Sequence, residues 1–330
     1  MTPRTSGKPR NNARKEAARN LQRLNPGMSY KQAFRQAGPD RGALAPHQPH
    51  LSTLLGVSSH HDIRAKYSRT EPDLTVPLGL SDTGHVVSIN IDTASQGRGG
   101  TGAHGIVSGT TGSGATMVTM AIALALRAKN SPTLLQAALI DPDARVPSDA
   151  DDLVDKTFRA DDGSAAAWLT EQLATRQAAL RSANARDFYD LPVDALPRLL
   201  LVVADEPRRS INYKSTPTAV SHALRQITAV GRQLGINLLL LCAHSSPEDL
   251  RQAIGHMGYR VSLGQVDDDL THMLLDDADA DLHRNVRTAP AGTAFLRTND
   301  AQQDNGITQF TAAIADDALT AMVTATRSPV

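Results

Sequence analysis

The run Gly105-Ile-Val-Ser-Gly-Thr-Thr-Gly-Ser-Gly-Ala-Thr116 decides the fold of this chain. Residues 105–108 form a short apolar segment of the kind found in buried parallel strands. Beyond the glycines, residues 117–127 are rich in Ala, Leu and Met and contain neither Gly nor Pro, which predicts a helix. A Gly-rich turn is common by chance, whereas a strand, a Gly-rich loop and a helix in direct succession are not. The run therefore predicts the strand, loop and helix of an α/β protein.

The loop matches the phosphate-binding consensus G-x-x-x-x-G-K-[ST] except that Ala115 stands where the consensus has lysine. Its backbone N–H groups are expected to form an anion-binding nest at the positive end of the following helix. ATP and Mg²⁺ are the predicted cofactors, with the Thr116 hydroxyl as a ligand of the metal. The residues predicted to bind the nucleotide are Gly109, Thr110, Thr111, Gly112, Ser113, Gly114, Ala115 and Thr116. The ammonium group that would reach the β- and γ-phosphates is absent.

A second nucleotide signature lies about ninety residues further on, where the apolar run 199–204 ends in Asp205 and Glu206. A continuous apolar strand predicts a sheet that is covered on both faces by helices. Carboxylates at its C-terminal end lie where open α/β sheets bind ligands. Asp205 would hold Mg²⁺ and Glu206 would polarise the attacking water. The alternative is that this pair only caps the strand at the surface.

Composition restricts the class of protein. The chain has 330 residues, of which 40% are hydrophobic and 21% charged, enough for one large core and an appendage. It contains no run of about eighteen apolar residues, and its N-terminus is too charged for a signal peptide. Cys242 is the only cysteine, so no disulfide framework is possible within the chain. We therefore expect a cytoplasmic protein without a transmembrane segment.

Residues 1–46 are predicted to form a basic helical arm. Lysines and arginines are frequent in residues 1–41, where Glu16 and Asp40 are the only acids, although the whole chain has a formal net charge of +0. A candidate helix at 12–24 carries Lys15, Arg19 and Arg23 at four-residue spacing, and a second follows the break at 25–27. These helices could bind DNA phosphates or an acidic or apolar protein surface. The residues expected to contact DNA are Arg14, Lys15, Arg19 and Arg23. The alternative is a solvated tail.

Residues 47–75 are rich in Pro, His, Ser and Gly and are predicted to be a linker with at most short local structure. Residues 76–330 are predicted to form the nucleotide-binding domain, which begins with a β-hairpin at 76–91. Strands and helices then alternate, which predicts a mostly parallel sheet flanked by helices. The later strands are expected at 135–141, 199–205, 237–243, 260–263, 293–297 and 308–313. The helices are expected at 165–182, 218–234, 247–254 and 267–275.

The order of these segments resembles the FtsK/SpoIIIE superfamily of RecA-like motor ATPases, and within it the EccC-type domains of type VII secretion. The resemblance spans residues 76–315 and excludes the N-terminal arm. It rests on VPLGLSDTGHVVSINID (76–92), GAHGIVSGTTGSGAT (102–116), LLLVVADE (199–206), VGRQLGINLLLLCAHSS (230–246) and GYRVSLG (258–264). It implies a RecA-like ATP-binding domain that assembles into a homo-oligomeric ring. Such domains move DNA or secreted protein, so a secretion or transfer assembly is the implied partner.

Two departures from the family pattern indicate impaired hydrolysis. Ala115 removes the loop lysine, and His244 and Ser245 occupy the positions where the family tends to place a glutamine and an arginine. Two separate changes favour natural degeneration over one laboratory substitution. Arg232 and Arg260 are the candidates for reaching a neighbouring subunit's nucleotide. The resemblance therefore predicts a weak ATP-binding domain with little hydrolysis. The alternatives are an active DNA-translocating ATPase and a non-catalytic protein-docking scaffold.

Overall fold

The computed structural model describes residues 48–92, 100–160, 162–204, 219–242, 247–265, 267–277, 279–298 and 306–327. The basic arm at 1–46 and the carboxylates Asp205 and Glu206 lie outside these ranges, as do His244 and Ser245. The predictions made for those residues therefore stay predictions.

The described residues contain one ten-stranded sheet in the order β2-β1-β10-β9-β8-β3-β7-β6-β4-β5. The strands are β1 (Thr75–Leu80), β2 (Val86–Asn90), β3 (Gly105–Gly109), β4 (Leu135–Ile140), β5 (Lys156–Phe158), β6 (Arg198–Val203), β7 (Ile236–Cys242), β8 (Tyr259–Leu263), β9 (Thr293–Thr298) and β10 (Ile307–Ala312).

The sheet has a parallel part and an antiparallel part. Strands β8, β3, β7, β6, β4 and β5 pair in parallel, and β3 lies between β7 and β8 at the centre of the sheet. Strands β9, β10, β1 and β2 continue the sheet with antiparallel pairing. The predicted α/β fold with a mostly parallel sheet flanked by helices is confirmed. The predicted hairpin, β1 and β2, joins the edge of this sheet through β10.

Helices cover both faces of the sheet. They are α1 (Leu51–Leu55), α2 (His60–Tyr67), α3 (Ala115–Lys129), α4 (Ser164–Ser182), α5 (Ala219–Val230), α6 (Pro247–Ile254), α7 (Asp268–Leu275), α8 (Ala280–Thr288) and α9 (Asp317–Arg327). Short 3₁₀ turns lie at Ser148–Leu153, Phe188–Asp190 and Arg232–Leu234.

Alternating side chains along the parallel strands build two hydrophobic cores. On β3, Val107 packs into the core that contains α3, and its neighbour Ile106 packs into the core of α4 and α5. On β7 the same alternation places Leu241 on the α3 face and Leu240 on the opposite face. Because both faces are buried, the strands are almost continuously apolar, as the sequence of β6 and β7 indicates.

The segment 47–75, which the sequence predicts to be a linker, contains the short helices α1 and α2. Ser59 caps α2 by accepting a hydrogen bond from the Asp62 N–H, while the Asp62 carboxylate accepts one from the Ser59 N–H. Leu51 and Ile63 are fully buried in the core that contains α3. This segment is therefore packed against the domain.

Candidate functional site

The glycine loop leaves the centre of the sheet and leads directly into α3. All five residues of β3 are buried, and α3 begins at Ala115 with Gly114 as its N-cap residue. Gly114 has no side chain that could cap the helix, and the first-turn N–H groups have no intrahelical partner. These groups and the helix dipole together favour a bound anion.

Glycine is needed in this loop for two different reasons. Gly114 has φ of 105°, a conformation that side chains with a Cβ rarely adopt. At Gly109 an added Cβ would lie 2.4 Å from Ser113 Oγ and 2.8 Å from the carbonyl oxygen of Leu263. The loop therefore depends on glycine for both its turn and its close packing.

Neighbouring strand ends hold the loop in place. The Thr110 hydroxyl donates to the carbonyl of Gly264, just after β8, at 2.7 Å. The Gly292 N–H, just before β9, donates to the carbonyl of Ser113 at 3.0 Å, and the Ser113 N–H donates to the carbonyl of Thr110 at 3.0 Å. Sequence reasoning missed Gly264 and Gly292, because their role depends on β8 and β9 lying beside the loop. These contacts preform the loop before any ligand binds.

The loop lines a cavity of about 740 Å³, which is within the usual range for small-molecule sites. Every residue from Gly109 to Thr116 lines it, which brings the predicted nucleotide-binding residues together at one site. The side chain of Ala115 is buried in this wall, and Thr116 is half-buried beside it. An uncapped helix end, a glycine cradle and a cavity of this size fit a triphosphate. The Thr116 hydroxyl is suited to be one ligand of Mg²⁺.

The rest of the cavity lining includes residues from chain segments that the sequence did not indicate. Gln48 lines the cavity and packs on Gly292, where a Cβ would lie 1.9 Å from the Gln48 side-chain nitrogen. Asp143 and Arg145, which follow β4, also line the cavity. Of the described residues that line it, Arg145 is the only one with a cationic side chain.

The strand that precedes the predicted carboxylates is present and buried. β6 ends at Val203, and the N–H of the buried Ala204 donates to the carbonyl of Ile140 at 2.9 Å. β6 is separated from β3 by β7 and runs parallel to both neighbouring strands. Its C-terminal end therefore points to the same edge of the sheet as the loop. Asp205 and Glu206 follow directly, but they lie outside the described residues.

Asp141, at the end of β4, organises the chain beside the cavity. It is fully buried, and its two carboxylate oxygens accept the N–H groups of Arg145 and Val146, each at 2.9 Å. Arg159 donates to the same carboxylate and, at 2.7 Å, to the carbonyl of Val146. Asp141 therefore fixes the backbone of the turn that carries Arg145.

A buried histidine supports the strands beneath the loop. Burial, together with the nearby His256 and Arg232, lowers the pKa of His104 to about 4. The neutral ring accepts the N–H of Leu238 on β7 at its Nδ1 atom, 3.0 Å away. This bond ties the start of β3 to the adjacent strand.

The remaining candidates lie away from the cavity. Lys129, at the far end of α3, forms an ion pair with Asp73 at 2.6 Å, so it does not replace the missing lysine. Arg232 lies in a 3₁₀ turn and Arg260 on β8, and neither lines the cavity. Burial, together with Arg297, lowers the pKa of Arg260, while Asp276 acts in the opposite direction. Their action on a neighbouring subunit's nucleotide stays a prediction.

Within the ranges that the structure describes, no helix is both long and apolar enough to cross a membrane.

Residues 62–197 match the model of the FtsK/SpoIIIE family. The ESX secretion system protein EccC of Thermomonospora curvata is 27% identical over 242 residues, which cover 64% of this chain and 17% of that protein. The ESX-4 secretion system protein EccC4 of Mycobacterium tuberculosis is 30% identical over 214 residues, which cover 58% of this chain and 16% of that protein. The chain thus spans about a sixth of the length of these curated relatives.

A solved structure has the same fold. The cytoplasmic domain of the type VII secretion ATPase EccC from Thermomonospora curvata superposes with a TM-score of 0.69 at 23% identity, covering 86% of this chain and 35% of that one. The family match and the EccC homologues therefore identify residues 62–197 as an FtsK/SpoIIIE family domain similar to the EccC proteins of type VII secretion, and the solved structure shows that the fold is shared.

Proposed function

We propose that this chain binds ATP with Mg²⁺ in the cavity at the N-terminus of α3, weakly and with little or no hydrolysis. One observation carries the proposal: the uncapped end of α3 and its glycine cradle line a cavity whose wall has Ala115 in place of lysine. Membership of an ATPase family supports nucleotide as the ligand. A hydrogen bond to a charged group contributes roughly 1.5–3 kcal/mol, so losing the ammonium weakens binding about ten- to a hundredfold.

In this proposal the chain's own groups divide the work. The loop N–H groups, including those at the start of α3, bind the phosphates, and the Thr116 hydroxyl and Asp205 hold the metal. The metal, when bound, neutralises phosphate charge. Glu206 orients and polarises the attacking water. Without the loop lysine, the charge that develops in the transition state has less stabilisation, which is why we infer slow or absent turnover.

We further propose that the domain works in the cytoplasm within a larger secretion or transfer assembly, as one subunit of a homo-oligomeric ring. The EccC relatives are secretion system proteins, which supports a protein partner. The basic composition of residues 1–46 supports a second contact, with DNA phosphates through Arg14, Lys15, Arg19 and Arg23. Deleting residues 1–41 should abolish any DNA affinity that falls steeply with salt.

Calorimetric titration with ATP, with and without Mg²⁺, tests the nucleotide site. We expect the dissociation constant for ATP to be larger than that of the Ala115→Lys variant. It should be smaller with Mg²⁺ than without it. No detectable heat at millimolar ATP contradicts the proposal. A turnover assay on the purified oligomer then separates the weak binder from an active motor, because a motor hydrolyses ATP at a rate that rises with DNA. If the chain binds no nucleotide but binds another protein of an EccC-type secretion system, the docking-scaffold alternative is favoured.

A further inference from the structure

One of the residues that line the cavity is an arginine, which neither the loop motif nor the family match indicates. Arg145 follows β4, which is separated from β3 by β7 and β6 in the sheet order, yet it lines the same cavity as the glycine loop. Residues 109–116 contain no lysine or arginine. Among the described lining residues, Arg145 is thus the one positive side chain that can face a bound anion there.

The turn that carries Arg145 is built from internal contacts. The fully buried carboxylate of Asp141 accepts the Arg145 N–H at 2.9 Å, and Arg159 donates to the same carboxylate. Ala144, just before Arg145, has φ of 51°, a left-handed conformation that is uncommon for a residue with a Cβ. The backbone of this turn is therefore fixed by buried groups, and it directs the chain back towards the cavity.

The guanidinium of Arg145 has a partner that a phosphate could replace. Its Nη2 atom lies 3.0 Å from a carboxylate oxygen of Asp143, and the two side chains are 19% and 35% exposed. A phosphate brings its own negative charge, so it can take the place of the Asp143 carboxylate and leave the guanidinium paired with an anion. A planar guanidinium binds phosphate oxygens in a bidentate manner and with greater strength.

We propose that Arg145 supplies, from the segment after β4, the phosphate-binding positive charge that Ala115 does not. The ligand class is a nucleoside triphosphate or another polyphosphate, and on binding the guanidinium exchanges Asp143 for phosphate oxygens. This inference rests on the proposed function, since it requires that ATP occupies the cavity. It also explains how a loop without lysine retains nucleotide.

The test compares binding of ATP, inorganic tripolyphosphate and adenosine to the full chain by calorimetry. Arg145→Gln should weaken the binding of ATP and tripolyphosphate about tenfold or more, because it removes one charged hydrogen-bonding group. The affinity for adenosine should not change. The matched control is Arg284→Gln, which breaks an exposed ion pair with Asp281 on α8, outside the cavity lining. It should bind all three ligands as the wild type does.

Two further variants sharpen the test, and the first of them does not depend on the folding of Arg145→Gln. Asp143→Asn removes the competing carboxylate, so it should raise the affinity for ATP and tripolyphosphate several-fold. Ala115→Lys should raise the ATP affinity by a larger factor in the Arg145→Gln background than in the wild type, because the two cations share one role; equal factors in both backgrounds would indicate a merely structural role of Arg145.

The outcomes separate this inference from the function on which it rests. If the wild type binds neither ATP nor tripolyphosphate, the proposed function fails and the inference with it. If the wild type binds ATP and Arg145→Gln binds it equally well, only the inference fails. The same holds if Arg145→Gln weakens adenosine as much as ATP, because the guanidinium then contacts the nucleoside. If Asp143→Asn lowers the affinity for tripolyphosphate, the inference about Arg145 is also contradicted.

Discussion

Helices α3 and α4 begin alike and differ in what satisfies their first turn. Each has a glycine as N-cap residue with positive φ, 105° at Gly114 and 82° at Gly163, and neither has a side-chain cap from that residue. At α4 the Ser164 N–H donates to the Asp162 carboxylate at 3.0 Å. At α3 the preceding loop, residues 109–114, contains no acidic residue, and the helix end faces a cavity.

The comparison shows what turns a helix N-terminus into a ligand site. The dipole and the unpaired N–H groups are common to all helices, so they do not select one. Asp162 supplies α4 with an anion from the adjoining turn, whereas the loop that leads into α3 contains no acidic residue and is proposed to take a phosphate. A Cβ added at Gly163 would meet no atom within 4 Å, whereas one added at Gly114 would lie within 4 Å of Gly292 and Leu263. Neighbouring strand ends therefore make the difference by enclosing the end of α3.

The largest expected effect is that of a lysine at the start of α3. Ala115→Lys adds an ammonium at the wall of the cavity and should raise the affinity for ATP about ten- to a hundredfold, since a charged hydrogen bond contributes roughly 1.5–3 kcal/mol. Calorimetry measures it directly. The matched change at α4 is Ser164→Lys, at the first residue of that helix, and it should leave ATP affinity unchanged. Equal gains from both variants would mean that added charge alone attracts ATP.

Glycine at the two N-caps provides the second test. Gly114→Ala and Gly163→Ala both force a residue with a Cβ into a left-handed conformation, which costs about 1–2 kcal/mol of unfolding free energy. Only Gly114→Ala should also lose ATP affinity, by about tenfold, because relief of the strain rotates the N–H groups that face the cavity. Denaturant unfolding and calorimetry measure the two quantities. If Gly114→Ala binds ATP as tightly as the wild type, the loop is not part of the nucleotide site.

A third test concerns the bracing of the loop. Thr110→Val removes the hydrogen bond to the Gly264 carbonyl and should cost about 1 kcal/mol of stability and about fivefold in ATP affinity. Thr170→Val removes a hydroxyl that donates to the Ala166 carbonyl within α4, at 2.8 Å, and serves as the control. Its ATP affinity should equal that of the wild type. A Thr110→Val variant with intact affinity would show that the loop holds its shape without β8.

Much of the fold could be predicted from the sequence because its central elements are long and strongly patterned. Strands β6 and β7 are continuous apolar runs, and α3 is a continuous stretch of good helix formers. Helices α8 and α9 were missed because each buries few side chains. In α8 these are His283 and Val286, and in α9 they are Leu319 and Val323. Strand β5 has only three residues and is defined by its pairing with β4.

The candidate site was predictable only in its local part. The glycine loop lies in one short run of sequence, so its pattern identifies it. Gln48, Gly292 and Arg145 line the same cavity from three distant segments, and Gly264 accepts a hydrogen bond from the loop. Their place depends on strand order and on buried contacts such as those of Asp141. A single sequence carries no local signal of that kind, so the cation beside the loop became visible only in the structure.

The smallest expected effect tests the anion that α4 provides for itself. Hydrogen bonds from Ser164 lower the pKa of Asp162 below its usual value of 3.8. A carboxylate with a lowered folded pKa contributes stability above the unfolded pKa and loses it as the pH falls through the folded value. Asp162→Asn keeps an acceptor oxygen but removes the charge, so it should be slightly less stable than the wild type at pH 7. This difference should shrink as the pH falls below 3.8 and vanish when the wild-type carboxylate is protonated. Denaturant unfolding of both proteins from pH 7 down to about pH 3 measures it. If the difference does not change with pH, the charge of Asp162 does not stabilise α4. The contrast between a helix with its own anion and one that awaits a phosphate then loses its electrostatic basis.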